Sequence, residues 1–182
     1  MNKYKDNFFK LSLQNLVLLG LVIAIKIILS RFSFGPTYVK VGLGFIGSVA
    51  LGYFFGPIWG AVGGGISDLA SSALFGNEGG FFIGFTLTAM LGPMIYGFFF
   101  YRKPIKIWRI IVASLLVTIF VNVLLNTVWL HFIYKMSFTA ALTARLLKEV
   151  IVPWIQMIII FFVLNGLQRV NARREKLEKS RM

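Results

Sequence analysis

The sequence contains no cysteine and a single histidine. The first absence excludes a disulfide framework and any thiolate site, and the second excludes a histidine-rich metal site. Acids are scarce as well, with six Asp and Glu against 19 Lys and Arg. Away from the chain ends the only acids are Asp68, Glu78 and Glu149. No G-x-x-x-x-G-K-[ST] phosphate loop occurs, so the chain does not harvest ATP by that route. Charge of either sign is missing from long stretches: residues 41–67, 81–101, 110–130 and 150–168 hold no Asp, Glu, Lys or Arg.

What fills those stretches is apolar. Of the 182 residues 58% are hydrophobic and 16% aromatic, only 14% are charged, and 18 are glycine, a balance outside that of soluble domains. About 20 apolar residues carry a helix across the hydrocarbon core, so each charge-free run is long enough for a span. We read the chain as a single all-α integral membrane domain over residues 1–182, a bundle of six transmembrane helices at about 8–29, 41–55, 57–75, 80–101, 107–131 and 145–168. The break between the second and third rests on Gly56-Pro57, because proline at a helix start loses no hydrogen bond. The first run is too long for a signal-peptide core and lacks a small-residue cleavage site, so it reads as a retained helix.

The net charge of +13 does not indicate nucleic acid, because there is too little polar surface to carry a basic stripe. Basic residues gather instead at the chain ends and in one short loop. With both termini on the same side, that side holds Lys3, Lys5, Lys10, Arg102, Lys103, Lys106, Arg109, Arg169, Arg173, Arg174, Lys176, Lys179 and Arg181, which is 13 of the 19 basic residues. The positive-inside rule then predicts cytoplasmic termini and an even number of spans, in a multi-pass protein of a cell membrane.

Small residues recur every fourth position through Gly44, Ser48, Gly52, Gly56, Gly60, Gly64, Asp68 and Ser72, and again through Gly80, Gly84, Thr88 and Gly92. Lipid gives helices no hydrophobic reason to associate, so seams that let backbones approach serve to hold them together. Gly20 and Ala24 form a similar small pair on the first helix, suited either to internal packing or to another protein.

Ionisable groups at membrane depth mark pathways or ligand sites. Four clusters qualify, all in the half of the bundle assigned to the outside. Arg31 and Lys40 bracket the loop SFGPTYV; they either snorkel to headgroups or guard an anion site. Asp68, among Ser67, Ser71 and Ser72, calls for a basic partner or a ligand with adjacent N–H groups. On the fifth helix Thr118, Asn122, Asn126 and Trp129 share a face by helical spacing. Amides there either bridge helices or meet a heterocycle edge, with Trp129 as a stacking surface. On the sixth, Arg145, Glu149, Val152 and Gln156 share a face; Arg145 either neutralises Glu149 or clamps a carboxylate. His131 reads as interfacial.

The stretch from 24 to 97, with SRFSF, GLGFIG, GYFFGPIWGAVGGGISD and FFIGFTLTAMLGPMIYG in order, followed by NTVWL at 126–130, resembles the folate-family S components of energy-coupling factor (ECF) transporters. The resemblance covers essentially the whole chain. It implies a six-helix, non-enzymatic subunit without cofactor or metal that captures a vitamin outside and works with a transmembrane T protein and two cytoplasmic ATPases. That family's first helix commonly carries an Ala-x-x-x-Ala motif that docks the T protein, and Gly20 and Ala24 stand at the matching place. The pterin ring of folate places an amino group beside a ring N–H, which Asp68 suits, with Asn126 and Trp129 as amide and stacking partners. Its two tail carboxylates suit Arg31, Lys40 and Arg145, beside Glu149.

Rival readings differ in cargo or class. Another heterocyclic vitamin or a thiamine precursor would need fewer cations at the mouth. An intramembrane hydrolase would use Ser67, Asp68 and His131, the nucleophile needing a base within hydrogen-bond reach. An autonomous carrier would need no ATPase.

Overall fold

The computed structural model describes residues 13–34, 41–76, 82–134 and 138–179. Apart from one two-residue strand pair, all regular structure in them is helical. α1 spans Leu13–Arg31. The strands β1 (Ser33–Phe34) and β2 (Val41–Gly42) follow, antiparallel, with Ser33 opposite Gly42 and Phe34 opposite Val41. α2 runs Gly44–Phe75 and α3 Ile83–Phe100. α4 (Ile107–Leu116) continues through a π-helical segment, Val117–Leu125, into α5 (Asn126–Tyr134), and α6 covers Phe138–Lys179.

Five helical stretches among the described residues are long and apolar enough to cross a membrane: Leu13–Arg31, Gly44–Phe75, Ile83–Phe100, Ile107–Trp129 and Lys148–Ala172. Their outward faces are apolar, as Leu16, Val17, Leu21, Ile25 and Ile28 of α1 illustrate. An apolar exterior of this extent suits lipid rather than water.

α2 is not straight. Gly56 takes φ 75° and ψ −171°, a conformation open to glycine at little strain, and Pro57 follows it. The chain doubles back there. A Cβ on Gly60 would stand 3.4 Å from Gly52 Cα, although eight residues of continuous helix would separate the two by about 12 Å. The arm after Gly56 therefore lies against the arm before it, as the Gly56-Pro57 break predicts.

α3 crosses both arms along the small-residue seam. Gly64 lies directly on Ala89 and Pro93, and a Cβ on Gly52 would come within 2.6 Å of the Gly97 nitrogen. Backbones this close exclude any side chain at these positions, which is the packing that small-residue seams provide in lipid. Larger side chains fill the space between α3, α4 and α6, where Tyr96 stacks on Phe100 with ring centroids 5.8 Å apart. A second cluster, Leu19, Val22, Leu51 and Phe55, joins α1 to the first arm of α2.

Two elements depart from the sequence reading. The last helix begins at Phe138 rather than 145 and continues to Lys179 rather than 168, because TAALTARLL before the apolar run and RREKLEK after it are themselves rich in helix formers. The fifth helix is interrupted by the π segment, whose i to i+5 hydrogen bonds shift the side-chain phase.

Candidate ligand-binding site

The polar side chains converge at the strand-pair end of the bundle, where α1 and α2 finish and α3 begins. Arg31, at the end of α1, reaches across to the last turn of α2. Its Nη2 donates to the Ser71 carbonyl at 3.1 Å and to Ser71 Oγ at 2.6 Å, and its guanidinium lies 4.1 Å from the centre of the Phe75 ring. These contacts hold the planar fork in one place, as recognition of a carboxylate requires.

Asp68 is half-buried, one turn before that contact. Its Oδ2 accepts a hydrogen bond from Thr86 Oγ1 at 2.8 Å, tying α2 to the first turn of α3. A carboxylate has about four acceptor positions, so one such bond leaves it capacity for more. Ser67 beside it is buried and donates its hydroxyl back to the Gly64 carbonyl at 2.7 Å. The hydroxyl that a hydrolase would use is thereby engaged with its own helix.

Trp129 approaches from α5. Its Nε1 donates to Thr88 Oγ1 at 3.0 Å, and Thr88 in turn donates to the Gly84 carbonyl at 3.0 Å. The indole stands edge-on to Phe82, centroids 5.5 Å apart, and lies so close over Gly84 that a Cβ there would fall 2.7 Å from the ring. Gly84 is thus the slot in α3 that seats Trp129.

The polar row proposed for the fifth helix divides. Trp129 turns toward α3, while Asn122 turns toward α6 and donates to Glu149 Oε2 at 3.3 Å. The π segment between Val117 and Leu125 is the reason, since its wider turn breaks the i, i+4, i+7 register assumed for a regular helix. Glu149 and buried Thr118 line a groove of about 330 Å³ between α4, the π segment and α6, otherwise walled by apolar side chains such as Leu115, Ile119, Trp154 and Met157. Asn126 is half-buried in the first turn of α5. Lys40 lies outside the described residues, as does the side chain of Arg145, whose backbone belongs to α6.

Gly20 and Ala24 share an exposed face of α1, and a Cβ on Gly20 would meet nothing within 4 Å.

Sequence reasoning passed over Lys26. It interrupts the apolar run of α1, yet it is only 8% exposed. Its stem lies directly on Gly47, where any side chain would overlap it. The available signal was a lone charge inside the apolar run IAIKIIL. Thr86, too, was legible only as a polar interruption of FIGFTLTAM.

Residues 14–167 match the family described as ECF transporter, substrate-specific component. The folate transporter FolT of Clostridium novyi is 33% identical over 147 residues, covering 80% of this chain and 85% of that protein. The folate transporter FolT of Leuconostoc mesenteroides is 34% identical over 165 residues, covering 87% and 89%. A crystal structure of FolT bound with folic acid superposes with a TM-score of 0.78 at 35% identity, over 85% of this chain and 95% of that one. Such coverage extends to every helix of the bundle, and the chain belongs to the family of ECF transporter substrate-specific components.

Proposed function

We propose that this chain is the folate-capturing subunit of an ECF vitamin transporter, working with a transmembrane T protein and two cytoplasmic ATPases in a bacterial plasma membrane. The observation that carries it is the likeness, over nearly the whole chain, to a FolT whose structure holds folic acid. Membership of the family makes the chain a transporter component rather than an enzyme.

The polar end of the bundle supports the same cargo. Asp68 keeps acceptor capacity for the adjacent N–H groups of a pterin. Arg31 is held with its fork fixed beside that site, suited to one of the two tail carboxylates. Lys40, Asn126, Arg145 and Glu149 complete the proposed set, with Trp129 acting through its seat on Thr88 and Gly84.

The doubling back of α2 at Gly56 favours six membrane crossings, and an even number puts both termini on the more basic, cytoplasmic side. The polar end then faces outward, where cargo arrives. Gly20 and Ala24, exposed and unobstructed on α1, are the surface assigned to the T protein.

Equilibrium binding of radiolabelled folic acid and radiolabelled thiamine to the purified chain tests the cargo. Saturable folic acid binding that unlabelled thiamine does not displace is expected. Binding of thiamine but not of folic acid would overturn the assignment.

A further inference from the structure

Lys26 is a charge that the site as described above does not use. It sits in an otherwise apolar stretch of α1, 8% exposed, with its stem laid over the bare backbone of Gly47. An ammonium offers three donors and no acceptor, more than packing against apolar side chains can satisfy. Leu19 against Gly63 and Arg31 on Ser71 pair α1 with the second arm of α2 on either side of Lys26 and Asp68, which puts these two at one level, and Asp68 takes its own hydrogen bond from Thr86. A largely buried cation at membrane depth, level with a carboxylate, marks a site for something that arrives.

Building on the folate reading, we propose that Lys26 is a specificity residue of the cargo site, donating to the carbonyl oxygen of the pterin ring while Asp68 accepts from the neighbouring N–H groups. The pterin edge presents a carbonyl, a ring N–H and an amino group in succession, one acceptor beside two donors. A carboxylate alone reads only the donors. An ammonium alongside it reads the acceptor, and the pair together matches the edge.

The same pair discriminates against the analogue in which an amino group replaces that carbonyl. The substitution sets a donor against a donor. It also makes the ring more basic, so that it takes up a proton beside a carboxylate. Lys26 opposes both changes, by presenting N–H where the analogue has N–H and by disfavouring a second positive charge nearby. Selectivity built on a repulsive element is lost when that element is removed.

Folic acid and aminopterin differ only at that ring carbon, and their binding to the full chain in lipid nanodiscs tests the role of Lys26. Lys26→Met removes a charge from an apolar helix, so it does not threaten insertion; Lys26→Arg keeps the charge and passes Gly47 with the same first methylenes. Relative to wild type, the ratio of the folic acid Kd to the aminopterin Kd is expected to rise about tenfold or more in K26M, the scale of one hydrogen bond to a charged group. In K26R it is expected to stay within about threefold, well under that scale. A ratio in K26M equal to that of the wild type would overturn the role of Lys26 alone. A wild-type chain that binds neither compound would overturn the folate reading with it.

Discussion

The indole nitrogen of Trp129 donates to the hydroxyl of Thr88 across 3.0 Å, joining α5 to α3 at the end of the bundle where Asp68 and Arg31 also lie. The bond links the late part of the chain to the early one at the mouth of the proposed site. Thr88→Val removes the acceptor while keeping the shape, which leaves the indole N–H unpaired. A loss of about 0.5 to 1.5 kcal/mol is expected, the net worth of a half-buried hydrogen bond. Thermal unfolding in detergent checks it.

Gly56 takes a positive φ where the two arms of α2 reverse, and a Cβ there would stand 3.1 Å from the Tyr101 ring. Gly56→Ala is expected to destabilise the fold by about 1 to 3 kcal/mol, the strain of a side chain in a positive-φ region held essentially by glycine alone. The readout is the fraction of chain that elutes as a monodisperse peak after heating. Gly92→Ala serves as the control, since a Cβ on Gly92 meets nothing within 4 Å.

Gly20 and Ala24 are exposed on α1, and a Cβ on Gly20 would meet none of the described residues within 4 Å. Gly20→Trp is expected to abolish co-purification with the T protein and ATPases while leaving folic acid binding to the isolated chain unchanged. A pull-down and a binding isotherm on the same preparation separate the two effects.

Much of this arrangement was legible in the sequence. Charge-free runs announced a helical membrane protein, Gly56-Pro57 marked the reversal in α2, and the four-residue glycine spacing marked the seam against α3. Asp68, Arg31 and Trp129 stood out because each is a polar or aromatic group where lipid or glycine is expected. The π segment did not, since VTIFVNVLL is apolar all round and carries no phase from which a wider turn could be read. The full length of α6 was hidden for the opposite reason: hydropathy ends at the basic tail while helix propensity does not. Lys26 escaped notice because its significance lies in what it meets in space. Gly47 and Asp68 lie on the two arms of α2, and nothing in the run IAIKIIL names them.

The most direct test of the central claim is a calorimetric titration of folic acid into the purified wild-type chain and into Asp68→Asn in parallel. Saturable one-to-one binding by the wild type is expected, weakened about tenfold or more in the variant, as for the loss of a charge-assisted hydrogen bond. Equal affinity in the two proteins, or no saturable heat with the wild type at micromolar folic acid, would contradict the account.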